Sequence, residues 1–267
     1  MILLHPPNEV ILLIILSSNK DGKGISVQGP VGLKELPTEY TISLWLRPSG
    51  SFIAYGRESY IVNFFNLIIL TVTTTNEIRL KIGDPGSEIS PVYTSPNDQI
   101  SISQWNFIAV SVKITKSATS AQLNIILSVA QGRNGTLVKA GEATLNMPTF
   151  NNFVNLLHFG AKNNIVPDSF DGYLKEIRIF SKFHSFDQLK ADKLKIYKKY
   201  AYDDPNIIAH WKLDEEYNST SLFYTIRDYS LSKRSVTIYL STNPDHPSFV
   251  NDTLIALNLC YYHDVAD

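Results

Sequence analysis

Short segments in which apolar and polar residues alternate are the feature that most constrains the fold of this chain. Clear examples are Thr41–Arg47, Trp105–Ile114 and Gln122–Val129. Such alternation is typical of β-strands with one buried face, and turn residues (Gly, Pro, Asn and Asp) separate the segments. With about a dozen such segments and one convincing helix, the spacing predicts a sandwich or barrel rather than a βαβ fold.

Two segments depart from this simple alternation. The apolar run Ile61–Val72 does not alternate, which predicts a strand buried on both faces. In the strand that follows Gly172, the apolar residues slip by one position near Lys175–Glu176. That slip predicts a β-bulge, the usual way in which a strand re-aims its side chains. Gly172 itself predicts a close approach that leaves no room for a Cβ atom.

A helix is predicted only after this strand. Ser185 can cap a helix that begins at Phe186, with Asp187 in its first turn. Lysines between residues 190 and 199 make much of its surface basic. We favour a solvated face of a helix that docks on a sheet edge. The alternative is a contact with an anionic membrane or partner.

Composition excludes some functions and leaves others open. The net charge of −1 argues against a nucleic-acid surface, which needs a concentrated basic patch. No stretch is long and apolar enough to cross a bilayer. The single cysteine, Cys260, excludes an internal disulfide. Three N-glycosylation sequons occur, about the number expected by chance. Their acceptors are Asn134, Asn218 and Asn251.

Five segments taken together resemble the laminin-G-like jelly roll of the concanavalin A-like lectin/glucanase superfamily. They occur in the family's order, and the resemblance covers roughly residues 20–195. One departure lies in Ile125–Gly132, which keeps the turn glycine but lacks the acidic residue that the family often has there. The matching segments are Tyr40–Pro48, Gln104–Lys113, Leu157–Gly160, Phe170–Phe180 and Phe186–Leu189.

The resemblance implies an all-β fold: a two-sheet antiparallel jelly-roll sandwich, with one short helix after the last family strand and extra C-terminal strands. It divides the chain into an N-terminal extension (1–19), the sandwich (20–202) and a C-terminal extension (203–267). In the first part we interpret Val10–Leu16 as a strand, the alternative being a weak signal-like segment. In the last part, strands either complete the sandwich or begin a second repeat.

No catalytic constellation is found. Glucanases with this fold place carboxylates on alternate residues of one strand, and glycoside hydrolysis needs such a pair. Here Glu176 stands alone on its strand, and Asp214–Glu216 are consecutive, so they point to opposite faces. The six histidines lack the spacing of a zinc site. We therefore predict that the protein is not an enzyme.

Candidate ligand-binding residues follow from the resemblance. Calcium is the one cofactor that it suggests, bound by oxygen ligands in a rim loop, although the interpretation as ordinary turn residues is favoured. Tyrosine rings could stack on sugars, the alternative being core or cross-strand packing; Trp45, Trp105 and Trp211 are predicted to be core. The calcium candidates are Asn163, Asn164, Asp168 and Asp171, with Asp84 in addition; the stacking candidates are Tyr55, Tyr60 and Tyr93.

Two functions from different classes remain. The resemblance implies a non-catalytic module, extracellular or at the cell surface, that recognises a glycan or a protein through its rim loops. The alternative is a structural subunit or repeat of a surface filament or larger assembly. In that case the terminal strands Val10–Leu16 and Thr253–Tyr262 would pair with a neighbouring chain.

Overall fold

The fold is described from a computed structural model of the chain. The residues that the structure describes are 13–16, 25–28, 37–48, 58–64, 67–83, 89–94, 100–102, 104–117, 120–132, 134–148, 156–159, 170, 172–193, 205–212, 223–226, 228–230, 236–239 and 248–250.

Strands dominate the described residues, and one helix, α1 (Phe186–Lys193), lies among them. The strands are β1 (Leu13–Leu16), β2 (Ile25–Gln28), β3 (Glu39–Pro48), β4 (Ser59–Phe64), β5 (Ile68–Val72), β6 (Ile78–Ile82), β7 (Ile89–Thr94), β8 (Asn106–Lys116), β9 (Ser120–Gln131), β10 (Val138–Pro148), β11 (Leu156–Phe159), β12 (Gly172–Phe180), β13 (Ile207–Trp211), β14 (Phe223–Ile226), β15 (Val236–Tyr239) and β16 (Ser248–Val250).

The strands form two antiparallel sheets and a small ribbon. The eight-stranded sheet has the order β10-β9-β8-β3-β12-β1-β16, with β13 also paired to β12. The six-stranded sheet has the order β2-β11-β4-β5-β6-β7, and β14 pairs with β15 in the ribbon. This arrangement confirms the predicted all-β sandwich with one short helix.

The main hydrophobic core draws on alternate residues of both sheets. Ile42, Leu44 and Leu46 of β3 belong to the same buried cluster as Leu70 and Val72 of β5. Full burial of one such side chain stabilises the fold by roughly 1.5–3 kcal/mol. The period of two in the sequence therefore marks the inner face of each sheet correctly.

The predicted bulge in β12 is confirmed. Lys175 pairs with Trp45 and Arg178 with Ser43, so the register with β3 shifts by one residue between them. Glu176 sits in this bulge with φ of 52°, a left-handed conformation that is uncommon for a residue with a side chain. The predicted close approach at Gly172 is also present, since a Cβ atom there would lie 2.4 Å from the backbone oxygen of Arg47.

The apolar run Ile61–Val72 differs from the prediction of one strand. It holds parts of two antiparallel strands, β4 and β5, which pair with each other. Every residue of both strands is buried. The lack of alternation arises because the outer face of this hairpin is buried as well as its inner face, so periodicity could not reveal the turn between them.

Strands from both ends of the described chain join β12. One edge of β12 pairs with β3, and the other edge is shared by β1 and β13. On β13, Trp211 lies in the core, with its ring centroid 5.7 Å from that of Phe159. Residues beyond 203 thus contribute a strand and a core side chain to the eight-stranded sheet.

The pairing of β1 corrects one part of the assembly hypothesis. Leu13–Leu16 pairs with β12 on one side and with β16 on the other. Both of its edges are therefore occupied within the chain, whereas the hypothesis requires this strand to pair with a neighbour. The second strand that it names, Thr253–Tyr262, lies outside the described residues.

Helix α1 covers part of the outer face of the eight-stranded sheet. Ser185 caps it as predicted: its hydroxyl accepts a hydrogen bond from the backbone N–H of Gln188, and its own N–H donates to the Gln188 side chain. Leu189 packs with Trp45 and Phe107 in a second hydrophobic cluster. Trp45 is thus buried under the helix rather than between the sheets, and Trp105 is only partly buried beside it.

Candidate functional site

The outer face of the six-stranded sheet carries a set of polar and aromatic side chains on its central strands. Tyr60 of β4, Thr71 of β5 and Arg79 of β6 form one row across the strands. Lys81 of β6 lies on the same face, and Glu58 immediately precedes β4. We call Glu58, Tyr60, Thr71, Arg79 and Lys81 the sheet-face cluster.

The carboxylate of Glu58 is the centre of this cluster. Its Oε2 lies 3.1 Å from Lys81 Nζ and 3.5 Å from Arg79 Nη1. Its Oε1 accepts a hydrogen bond from the Thr71 hydroxyl. Two cations from one strand therefore converge on one carboxylate from another part of the chain.

Tyr60 belongs to the cluster through its ring. The Lys81 ammonium lies 5.9 Å from the ring centroid, within the range of a cation–π contact. The Tyr60 side chain is only 6% exposed, so its ring supports Lys81 and presents little area to solvent. This position fits packing across strands, which was the alternative to stacking on a sugar. A stacking role for Tyr60 stays a prediction.

The charged groups reach solvent although the residues around them are buried. Exposed fractions of the side chains are 33% for Arg79, 25% for Glu58 and 15% for Lys81. Partial burial of charge costs free energy that an apolar residue would not. Because these charges are partly buried and still reach solvent, we take this group of residues as the candidate site.

Arg79 also has hydrogen-bonding capacity that the cluster does not use. A guanidinium presents five N–H donors. The Arg79 Nε is buried and has no hydrogen-bond partner among the described residues. The contact of its Nη1 with Glu58, at 3.5 Å, is at the outer limit for a hydrogen bond.

A second polar cluster lies where β12 meets β13; we call Glu176, Arg178, His210, Asp228 and Ser230 the seam cluster. Glu176 Oε2 lies 2.6 Å from Arg178 Nη2 and 2.8 Å from His210 Nε2, whose N–H donates to it. Burial would raise the pKa of the Glu176 carboxyl, but the hydrogen bond from His210 and the charge of Arg178 lower that pKa to about 2.

Asp228 completes the seam cluster. It accepts hydrogen bonds from the backbone N–H groups of His210 and Ser230 and from the Ser230 hydroxyl, at 3.0, 2.8 and 2.9 Å. The Ser230 hydroxyl is also 3.1 Å from the carbonyl oxygen of Ile208. Arg178, His210 and Asp228 are buried. His210 of β13 bonds Glu176 of β12 through its ring and Asp228 through its backbone N–H. The cluster therefore holds β13 to the sheet.

Tyr60 is the one residue proposed from the sequence that belongs to the sheet-face cluster among those that the structure describes. Asn134 is exposed in a turn, as a glycosylated residue must be. Tyr93 lies on β7 next to β6, opposite Leu80. The other candidates lie outside the described residues: Tyr55, Asp84, Asn163, Asn164, Asp168, Asp171, Asn218 and Asn251. Glycosylation and the calcium site stay predictions.

Sequence reasoning missed Glu58, Arg79 and Lys81. The available signal was the alternation in β6, where Arg79 and Lys81 separate three buried residues. Within the described residues, no three His, Cys, Asp or Glu side chains are grouped as metal ligands. The helix that the structure describes is too short to span a bilayer.

A family model decides the classification. A laminin G model, described as concanavalin A-like lectin/glucanases superfamily, matches residues 21–190. The chain belongs to this superfamily. The match confirms the resemblance seen in the five sequence segments. It begins close to the predicted start of the sandwich, and it ends within α1. No curated protein matches the sequence at a significant level.

Solved structures are similar to this chain at low sequence identity. A candidate carbohydrate-binding protein from Bacteroides ovatus has a TM-score of 0.51 and 12% identity over 89% of this chain, which spans 62% of that protein. For the CBM40 of the Ruminococcus gnavus IT-sialidase, bound to α2,6-sialyllactose, the TM-score is 0.40, the identity 14%, and the coverage 67% of this chain and 95% of the other. For the botulinum neurotoxin serotype D binding domain the TM-score is 0.42 and the identity 16%, with coverage of 68% of this chain and 42% of the other.

Proposed function

We propose that this chain is a non-catalytic glycan-binding module that binds through the partly exposed charged groups of Glu58, Arg79 and Lys81 on the outer side of its six-stranded sheet. The observation that carries the proposal is the convergence of Glu58, Arg79 and Lys81 on central strands of that face. A carboxylate that accepts hydrogen bonds and two cations that donate them can match the hydroxyl groups of a sugar.

The difference between the sheets lies in these partly exposed charged groups, since the central strands β4 and β5 of the six-stranded sheet are themselves buried on both faces. Over β3 and β8 the outer face of the eight-stranded sheet is occupied by the chain itself, where α1 packs on Trp45 and Phe107. The segment before α1 also crosses the face, since the Thr41 hydroxyl donates to the carbonyl oxygen of Lys182 and accepts from the N–H of His184. A ligand would have to displace these contacts.

Substitution of the two cations tests the proposal. The intact chain is screened against a glycan array, and each bound glycan is then titrated by calorimetry. We expect at least one glycan to bind, and Arg79→Ala and Lys81→Ala each to weaken it about tenfold or more, because each removes a charged hydrogen-bond donor.

Lys113→Ala is the matched control. Lys113 pairs with Glu39 at 2.9 Å on the other sheet, where both side chains are well exposed. Its removal should leave glycan affinity unchanged. Binding of no glycan, or glycan binding that both cation variants retain in full, would contradict the proposal, provided that circular dichroism shows the variants to be folded.

Location and calcium form further parts of the proposal. We propose that the module acts outside the cell or at its surface, which fits the glycan ligand. Secretion from cells that express the gene, with a glycan at Asn134 that peptide N-glycosidase removes, would support this location. Calcium bound by rim-loop residues such as Asn163 and Asp168 is tested by thermal shift with and without the ion, where no response contradicts it.

A further inference from the structure

The turn that joins β9 to β10 holds a pair of residues that occurs once in the chain, Asn134-Gly135. Asn134 is exposed in this turn. Asparagine is among the chemically labile residues of a protein, because the backbone nitrogen of the next residue can attack its side-chain amide. That attack is least hindered when the next residue is glycine, which has no side chain. The pair therefore has the chemistry of a modification site.

The fold itself requires the glycine of this pair. A Cβ atom on Gly135 would overlap the backbone carbonyl oxygen of Gln131, so a larger residue would force the turn to shift. The N–H of Gly135 donates to the carbonyl oxygen of Gly132 at 3.3 Å, slightly beyond the usual range for a hydrogen bond. The nitrogen that must attack is therefore held only weakly.

We propose that Asn134 is a site of deamidation, an inference that goes beyond the proposed function and does not depend on it. The Gly135 nitrogen loses its proton to solvent and forms a bond to Cγ of Asn134. The bond from Cγ to Nδ2 breaks, and the leaving nitrogen takes up a proton from water and departs as ammonia. Water then opens the cyclic imide at either of its carbonyl groups, which yields aspartate or isoaspartate.

The same turn anchors helix α1. Nζ of Lys193, at the end of the helix, donates a hydrogen bond to the carbonyl oxygen of Gly135, and Lys193 is only 7% exposed. Isoaspartate at position 134 adds a methylene group to the backbone directly before this carbonyl and so displaces the acceptor of a buried ammonium. Deamidation should therefore loosen the end of α1, because a buried donor that loses its acceptor is destabilising.

Peptide mapping of the full chain tests the site. The protein is produced in bacteria that attach no N-glycans, since a glycan on Asn134 would occupy the amide nitrogen that has to leave. It is incubated at mildly acidic and at mildly alkaline pH, and isoaspartate is labelled with an isoaspartyl methyltransferase. We expect the label to accumulate in the peptide that contains Asn134. It should accumulate faster at alkaline pH, because the attacking nitrogen must lose its proton.

Two variants and a second asparagine provide the controls. Asn146 is also exposed but precedes Met147, so its peptide should stay unlabelled. Asn134→Gln should abolish the label in the peptide that contains position 134. Thr136→Val destroys the glycosylation sequon but keeps the Asn-Gly pair, and should leave the rate of labelling unchanged. An unlabelled Asn134 peptide in protein that circular dichroism shows to be folded, or equal labelling of Asn146, would overturn the proposal.

Hydrogen exchange tests the effect on α1. We expect amide exchange in α1 to be faster in the incubated protein than in the fresh protein, and incubated Asn134→Gln to exchange like its own fresh sample. Equal exchange in fresh protein and in incubated protein that carries isoaspartate would overturn the link to α1.

Discussion

At the scale of single residues, β12 contains two positions that its backbone geometry constrains. Gly172 lets β12 approach the backbone of Arg47 at the start of the strand. Four residues later, Glu176 adopts a left-handed conformation, which costs roughly 1 kcal/mol or more in a residue with a side chain. The bulge directs the Glu176 carboxylate toward Arg178 and His210, and those ionic hydrogen bonds offset the strain.

Glu176 is expected to make stability depend on pH at the acid end. Its pKa is lowered from 4.5 to about 2 in the folded chain. Its contribution is therefore present above about pH 4.5, and it is lost as the pH falls toward 2. Glu176→Gln should lower the free energy of unfolding by about 2–3 kcal/mol at pH 7, with a smaller difference at pH 3, as measured by urea denaturation.

The control for this prediction is an exposed acid in an ion pair. Glu142 pairs with Lys139 at 2.7 Å and is 58% exposed. Glu142→Gln should change stability by less than about 0.5 kcal/mol at either pH. An equal effect of Glu176→Gln at pH 7 and pH 3 would show that ionisation of this carboxyl does not contribute to stability.

At the scale of elements, β13 depends on groups that lie outside its own pairing. Its register with β12 covers only the residues from Ile177 to Phe180. Beyond that ladder, β13 is held by Asp228, which accepts a hydrogen bond from its backbone at His210. Trp211 adds burial between the sheets. This short strand is thus fixed by its ladder with β12, by the Asp228 carboxylate and by its core side chains.

Asp228→Ala is expected to loosen β13. The change leaves the N–H groups of His210 and Ser230 without their acceptor and removes a buried carboxylate. Unfolding free energy should fall by about 2–4 kcal/mol. Hydrogen exchange should accelerate in 207–211 before it does so in β8. Protection of 207–211 that matches the parent protein would contradict the proposed role of this turn.

At the scale of the whole molecule, the eight-stranded sheet is assembled from segments that are distant in sequence. β12 receives β1 from near the N-terminus and β13 from beyond residue 203. Ala209 and Trp211, which follow the predicted boundary at 203, lie in the hydrophobic core, and the division into domains stays a prediction. We propose that the sandwich and at least part of the predicted C-terminal extension form one packed unit.

Limited proteolysis tests whether β13 belongs to the same folded unit as the sandwich. We expect the smallest stable fragment to extend past Ser230, since removal of β13 would expose the core around Trp211. A chain that ends at Tyr202 should melt at least about 10 °C lower than the full chain or fail to remain soluble. A protease-resistant fragment that ends near Tyr202 would show that β13 is dispensable for the fold.

Local patterning predicts most of the strands, their inner faces, the bulge near Lys175–Glu176 and the cap at Ser185, but not the division of Ile61–Val72 into two strands. These features depend on local spacing, because burial of one face imposes its period on each strand. Which outer-face residues meet depends on how the strands pair in three dimensions. Glu58 and Lys81 are 23 positions apart and come together through the pairing of β4, β5 and β6. Contacts across strands depend on register, which no single segment encodes.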